Sequence, residues 1–307
     1  KPQTMKYSLP ILLLFFAACG GQPQVPVEQD TPLDGRLAMA FEPGDSPSLQ
    51  AQVDLFEGIY RAADIQPVYM AQNRIIESLL NDSIRVGFIH RNLSPAEVAM
   101  FESQGKKPRV TFLGRSALAL ISAQGSADSL TDLDALRASF TGENGKYLVF
   151  DRTGSAAFTQ VRDSVCGGAK PGSRVVAVGS YAAVVDYVTK NPGSIGVIGA
   201  SWLADMTSET SRSVFRRVQT VRVKNPADSQ YYKPFFRHVY LNKYPLSFGL
   251  YAVNTQHYSG LGTGFITFIG GAQGQLALKK SGFAPATEQE RLIQMHLGLP
   301  EELKSKP

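Results

Sequence analysis

Short apolar runs and stretches with apolar positions at helical spacing alternate along most of the chain. Residues 36–41, 85–90 and 147–150 are runs of the kind that forms buried strands. After a short polar turn, each is followed by a segment whose apolar side chains recur every three or four positions, as in residues 46–62. Strands that alternate with helices are typical of an α/β protein with mostly parallel sheets, and this is the fold class that we predict.

Two of the polar turns carry strong signals for the start of a helix. Ser46 precedes a proline, and Ser94 precedes a proline and then, three positions on, Glu97, which completes a capping box. Further along, residues 225–233 are polar and predict a surface loop. Residues 263–281 predict one long helix.

The turn that follows residues 147–150 has the composition of an anion site. It contains Arg152, then Gly154 and Ser155, and then opens a helix. The first N–H groups of a helix have no partner within the helix, and with the positive end of its dipole they attract an anion. The guanidinium of Arg152 would add a planar cation suited to an oxyanion. An ordinary strand-to-helix turn with a surface arginine is the alternative interpretation of these residues.

Two earlier turns are placed to meet this one. In open α/β sheets the ligand lies beyond the carboxyl ends of the strands, where all three turns are expected. One turn contains Asp45, and the other contains His90 and Arg91. Arg91 and Arg152 are therefore the cations that we expect beside the anion.

Several of these side chains also have a purely structural interpretation. Ser46 and Ser155 could cap helices as well as donate a hydroxyl to a ligand. Asp45 and Asp151 could accept the proton of a monohydrogen phosphate, or they could simply form turns. His90 could donate to the anion and tie affinity to pH, or it could be a buried histidine with a structural partner.

Composition narrows the classes of function. The chain has 307 residues and a formal net charge of +5, a mild excess that suits a small anion or a membrane surface. It has no Lys/Arg run that would follow a nucleic-acid backbone. The four histidines show no metal spacing, and there is no phosphate-binding glycine loop, dinucleotide fingerprint or nucleophile elbow. We therefore expect no metal, no cofactor and no enzymatic activity.

The first residues have the pattern of an export signal. Lys6 precedes an apolar core at residues 9–18, which is too short for a membrane-spanning helix of ~20 residues. The core ends in the letters AACG around Cys19, which resembles the lipobox of bacterial lipoproteins and implies that Cys19 is lipidated. We expect a signal peptide with lipobox at residues 1–19 and a flexible tether at residues 20–32. Cys166 would then be the only free thiol left, so no intrachain disulfide is expected.

The order of motifs resembles a known family. From about Leu33 to Pro285 the chain is similar to the type II periplasmic substrate-binding proteins, specifically the phosphate-binding lipoproteins of ABC importers. The motifs that carry the resemblance are DLFE at residues 54–57, RNLSPAE at 91–97, VFDR at 149–152, RDSVCGG at 162–168, NPGSIGVIG at 191–199, GLGTGF at 260–265 and the segment 274–285.

The resemblance implies a two-lobed fold with the ligand in a cleft between lobes joined by two crossover strands. Residues 33–120 and 244–307 would form lobe one, and residues 121–243 would form lobe two. The ligand set that the resemblance implies is Gly44, Asp45, Ser46, His90, Arg91, Arg152, Gly154, Ser155 and Ala156. Arg91 would contact the anion from one side, and Arg152 and Ser155 from the other.

The resemblance also implies a biological role. The protein would be anchored to a membrane, face the periplasm or the exterior, capture phosphate or a similar oxyanion, and deliver it to the permease of an ABC transporter. We expect it to act as a monomer without nucleic acid.

A second role stays open because the sequence departs from the family pattern. Ala156 and Ala157 stand where relatives place hydroxyl residues, and Gly44 replaces a serine. A hydrogen bond to a charged group contributes ~1.5–3 kcal/mol, so these replacements would weaken anion binding strongly. The alternative is therefore a non-transport accessory lipoprotein of the same fold, with weakened or lost anion binding.

Overall fold

A computed structural model describes residues 30–204 and 209–287. The predicted signal peptide, the lipidation site Cys19 and nearly all of the predicted tether lie outside the described residues, as does the segment 288–307. Within the described part, no helix is both long and apolar enough to cross a membrane.

The strands form one curled sheet of mixed direction. In order along the chain they are β1 (Gly35–Phe41), β2 (Ala63–Tyr69), β3 (Val86–Ile89), β4 (Arg109–Ala123), β5 (Leu130–Thr131), β6 (Tyr147–Phe150), β7 (Val175–Ala177), β8 (Ser194–Gly199), β9 (Val218–Lys224), β10 (Tyr231–Tyr232), β11 (Ser247–Asn254) and β12 (Ala284–Pro285). The neighbours run in the order β2-β1-β3-β11-β4-β8-β6-β7, and the strands off this path are β9, β5, β10 and β12.

Helices cover the sheet and connect its strands. They are α1 (Ser46–Ile59), α2 (Gln72–Leu80), α3 (Pro95–Ser103), α4 (Leu133–Thr141), α5 (Ala156–Gln160), α6 (Tyr181–Lys190), α7 (Ser201–Ala204), α8 (Glu209–Arg217), α9 (Phe236–Tyr240), α10 (Leu261–Gly270) and α11 (Ala272–Lys280). The predicted capping box at Ser94 and Glu97 is confirmed in full. Helix α1 starts where it was predicted, but its cap position is Asp45 and not Ser46, and no side chain makes the capping bond.

The long strand β4 divides the sheet into two halves. Its first part pairs with β11 and β12, next to β3, β1 and β2; these strands form the first half. Its last part pairs with β8 and β9, next to β6 and β7, which form the second half. β1 pairs in parallel with β2 and β3, and β6 pairs in parallel with β7 and β8, as predicted. Every pair that includes β4 or β11 is antiparallel.

Each half has its own hydrophobic core. In the first half, Met39 and Phe41 face one cluster and Ala40 faces another, because successive side chains of a strand point to opposite faces. In the second half a single large cluster surrounds β6 and β8 and includes the buried thiol of Cys166. The lobe boundaries predicted at residues 120/121 and 243/244 stay a prediction, although the separate cores agree with a two-part molecule.

Two further predictions about elements were wrong. The segment 263–281 is not one helix, because Gly271 adopts an extended conformation (φ −81°, ψ 175°) that ends α10 and starts α11. Glycine has a low helix propensity, so a Gly-Gly pair is a natural break. The segment 225–233 is not loop throughout, since β10 pairs with β9 at its end.

Candidate functional site

The turns predicted to form the site do meet at one edge of the sheet. The turn after β1 contains Gly44 and Asp45, His90 follows β3, and the segment from Asp151 to Ser155 follows β6. Each of these strands points its carboxyl end toward the boundary between the two halves, which is where α/β sheets place ligands.

The centre of this site is the side chain of Glu42. One carboxylate oxygen accepts a hydrogen bond from the N–H of Gly44 at 2.6 Å, within its own turn. The other accepts the N–H of Ala156 at 2.8 Å, from the helix start in the second half. The side chain is 1% exposed. The two N–H groups predicted to bind an external anion therefore bind a carboxylate of the protein itself.

The space around Gly44 is filled by the ends of two side chains, which would have to shift to admit a side chain there. A Cβ atom there would lie 2.8 Å from the Tyr181 hydroxyl and 2.9 Å from Oε2 of Glu42, both far inside van der Waals contact. Burial, and then the neighbouring Glu42, Asp151 and Asp45, raises the pKa of Tyr181 well above its ordinary value. This residue is therefore a neutral phenol, and its ring stacks on Trp202 with the centroids 5.5 Å apart.

Asp45 and His90 form a buried pair next to Glu42. His90 Nε2 is hydrogen-bonded to Oδ2 of Asp45, and the Ser116 hydroxyl donates to Oδ1 of the same aspartate at 3.1 Å. Burial by itself would lower the pKa of His90, but the charges of Asp45 and Glu42 raise it above its ordinary value. Burial raises the pKa of Glu42, while His90 and the two N–H groups oppose that rise.

The turn after β6 adds a third buried carboxylate. Asp151 is fully buried, and its Oδ2 accepts from Nε of Arg152 at 3.1 Å, whereas its Oδ1 has no hydrogen-bond partner among the described residues. The Arg152 side chain is 46% exposed, so it reaches outward past Asp151. Gly154 has φ +86°, a conformation that favours glycine, and Ser155 caps α5 by accepting the N–H of Phe158.

The structure places the other predicted ligands apart from Glu42. Both terminal nitrogens of Arg91 donate to Glu97, each at 2.7 Å, and this ion pair lowers the pKa of Glu97 to about 2. Since Glu97 also closes the capping box, Arg91 is held at the start of α3. Ser46 lines a cavity of about 430 Å³ together with Ser48 and Trp202.

The two halves touch each other around these turns. The Ser201 hydroxyl donates to the carbonyl of Gly44 at 3.1 Å, and the Gln160 amide donates to the carbonyl of His90 at 3.4 Å. Gly199 lies so close that a Cβ atom there would be 2.2 Å from the Gly44 carbonyl oxygen. The cleft is closed by direct contacts across it.

The charge at this site is mainly negative. Three carboxylates, those of Glu42, Asp45 and Asp151, are at most 1% exposed, and His90 is the buried group that can carry a compensating positive charge. Among the described residues, no cluster of His, Cys, Asp and Glu is arranged to hold a metal ion.

Sequence reasoning missed Glu42 and Tyr181. A signal for Glu42 existed, because an acidic residue follows β1 directly and lies two positions before the glycine whose N–H was expected to bind an anion. Tyr181 carried no such signal, since its position next to Gly44 depends on the packing of α6 against the first half.

Solved structures share this fold. A Clostridium perfringens protein described as a phosphate ABC transporter substrate-binding protein, with bound phosphate, is 16% identical with a TM-score of 0.65, covering 82% of this chain and 100% of that one. An ABC-type phosphate transport receptor from Vibrio cholerae is 12% identical with a TM-score of 0.60, covering 81% and 99%. The regulatory domain of Synechocystis CcmR in complex with 2-PG is 12% identical with a TM-score of 0.54, covering 77% and 96%.

At these identities the likeness concerns the fold, which is the predicted two-lobed type II fold of the periplasmic binding proteins. No curated protein sequence matches the chain. The sequence model of the PBP superfamily domain matches residues 26–272. Because this match spans well over half of the chain, the protein belongs to the PBP superfamily.

Proposed function

We propose that the protein is an extracytoplasmic accessory lipoprotein whose cleft is closed on its own Glu42 and does not capture free phosphate. The observation that carries the proposal is the position of the Glu42 carboxylate. Its two oxygens accept the N–H groups of Gly44 and Ala156, one from each half of the molecule. The protein thus keeps the architecture of a binding protein and uses it to hold its halves together.

Electrostatics support this proposal. A phosphate at the same N–H groups would have to displace Glu42 and would still lie beside Asp45 and Asp151, which are both buried. Two like charges ~4 Å apart repel by about 4 kcal/mol at the effective dielectric constant of a protein surface. His90 is already paired with Asp45, and Arg91 with Glu97. His90 and Arg91 are therefore occupied, and Arg152 is already bonded through Nε to Asp151.

The second candidate is capture of phosphate and its delivery to an ABC importer. One observation favours it: two N–H groups from opposite halves converge on an oxyanion-like group, which is the arrangement that a captured anion needs. Some proteins that share the fold are named for phosphate transport. In this case phosphate would replace the Glu42 carboxylate. Lipidation at Cys19, a location in the cell envelope and a monomeric state belong to both candidates.

Titration calorimetry of the full chain with phosphate, sulfate and molybdate separates the two candidates. We expect no saturable heat with any of the three anions. Saturable heat with phosphate would overturn our proposal in favour of phosphate capture.

A variant shows whether Glu42 is the group that fills the site. Glu42→Ala leaves two buried N–H groups without an acceptor, at a cost of about 1–3 kcal/mol each. We expect its melting temperature to fall and then to rise again when formate is added, because a small carboxylate can take the vacant place. Glu102→Ala, at an exposed position, is the matched control and should show neither effect. An equal rise with formate in the wild type and both variants would count against the assignment.

A further inference from the structure

The chain has a strong charge asymmetry away from the cleft. No aspartate or glutamate occurs between Asp228 and Glu288. The same stretch contains five cationic side chains, which are Lys233, Arg237, Lys243, Lys279 and Lys280. Such a one-sided stretch points to an anionic partner.

Within this stretch, residues 231–243 form a surface with projecting apolar side chains; it is called the 231–243 surface below. Phe235 is 54% exposed, Leu241 49% and Tyr240 43%. The buried side chain of Val239 anchors α9 beneath them. Large apolar side chains this exposed, so close together, are a marker of an interaction site rather than of ordinary surface.

Cations lie directly against the aromatic rings of this surface. Lys233 Nζ lies 5.7 Å from the centroid of the Phe235 ring, and Lys243 Nζ lies 5.6 Å from that of Tyr232. Lys279, from α11, lies 4.5 Å above the ring of Phe236. Apolar and cationic groups thus alternate at short range over the whole surface.

We propose that the 231–243 surface binds a membrane surface rich in anionic phospholipid. Lys and Arg attract anionic headgroups, while aromatic and leucine side chains enter the boundary between headgroups and acyl chains. An acidic protein would also complement the cations, but the predicted lipid anchor holds the domain beside a bilayer, which favours the membrane as the partner. The proposal does not depend on the function of the cleft.

The predicted anchor would keep the domain near the bilayer. The chain between Cys19 and Asp30 spans at most ~40 Å when fully extended. A weak surface contact is then sufficient, because the anchor already holds the domain at a high local concentration near the membrane.

Binding of the full chain to lipid vesicles tests the proposal. We expect tighter binding to vesicles of phosphatidylcholine with phosphatidylglycerol than to phosphatidylcholine alone, and a loss of that difference as salt is raised. The triple variant Lys233→Gln, Arg237→Gln, Lys243→Gln should bind the anionic vesicles on the order of a hundredfold more weakly. Because contributions from distant sites add, any affinity of the N-terminal segment cancels in this ratio.

A matched triple variant controls for net charge. Lys107, Lys170 and Lys190 are exposed and lie outside the stretch between Asp228 and Glu288, so their replacement by glutamine removes the same charge elsewhere. We expect this control to keep most of the binding. Equal binding of the wild type to both kinds of vesicle would overturn the proposal and leave an acidic protein as the partner. An equal loss of binding to anionic vesicles in both triple variants would also overturn it.

Discussion

Under the proposed function, a single side chain determines what the cleft can hold. The carboxylate of Glu42 accepts the N–H of Gly44, in the turn after β1, and the N–H of Ala156, at the start of α5. These two segments face each other across the cleft. The sequence pointed to the N–H groups of Gly44 and Ala156 as donors to an anion, and that they bind an external anion stays a prediction. It did not predict Glu42 as their acceptor, because the acidic residue after β1 shows only that a carboxylate lies near Gly44, not that this turn lies against α5.

The buried pair of His90 and Asp45 makes stability depend on pH. Asp45 and Glu42 raise the pKa of His90 above its ordinary value of 6.5, although burial opposes them. The folded protein then holds this proton more tightly than the unfolded chain, so the stabilisation is complete below pH 6.5 and is lost as the pH rises through the folded-state pKa. We expect urea denaturation to show a free energy of unfolding that falls above pH 6.5, by at most ~1.4 kcal/mol per pH unit.

Two variants assign this slope to one residue. His90→Asn should flatten the profile above pH 6.5, whereas His257→Asn, at an exposed ring, should leave it unchanged. A wild-type profile that is already flat in this range would show that His90 does not carry the extra proton. The rise in the pKa of Glu42, which comes from burial, gives a slope of the same sign that begins above pH 4.5.

At the scale of elements, local signals were sufficient for most helices and outer strands. The capping box at Ser94 is confirmed because it depends on residues within one turn. Helix α1 starts at Ser46 with a proline in its first turn as predicted, although Ser46 does not cap it. The antiparallel pairs around β4 were not predicted, because strand direction in a sheet is set by contacts between distant segments.

The close contact between Gly199, at the end of β8, and Gly44, in the turn after β1, can be tested by a substitution. Gly199→Ala would place a Cβ atom 2.2 Å from the Gly44 carbonyl oxygen, so the end of β8 and the turn must move apart. We expect a loss of about 1–3 kcal/mol in the free energy of unfolding, as for other overpacked sites.

The same substitution elsewhere is the control for this prediction. At Gly58, inside α1, a Cβ atom would meet no other atom within 4 Å, so Gly58→Ala should stabilise the protein by about 0.5–1 kcal/mol through helix propensity. Opposite signs in chemical denaturation are therefore expected for the two variants. A destabilisation of similar size at both sites would show that close approach of β8 is not the cause.

At the scale of the whole molecule, the contacts across the cleft predict a protein that does not close further. Glu42, Ser201 and Gln160 each make a hydrogen bond from one half to the other. We expect small-angle X-ray scattering to give the same radius of gyration with and without phosphate. The double variant Glu42→Ala, Ser201→Ala should be larger than the wild type, because two of the three bonds are removed.

The double variant also has a control. Glu102→Ala combined with Ser103→Ala changes the same residue types at exposed positions of α3 and should keep the wild-type radius. Compaction of the wild type on adding phosphate would contradict this prediction and would favour the hinge closure of a transport protein. The fold itself was predictable because its motif order is distinctive, whereas the closed state depends on side chains that meet only after folding.

The path of the chain through β4 has a consequence for how the protein is assembled. β11 lies between β3 and β4, yet it is made of residues 247–254, far along the chain. By the end of β9 the chain contains most of the core of the second half, which then still lacks Val239, Tyr244, Leu246 and Ala284, while the first half lacks its central strand β11. A nascent or translocating chain therefore keeps the edges of β3 and β4 unpaired until late. During that interval these edges are the part of the molecule most exposed to aggregation.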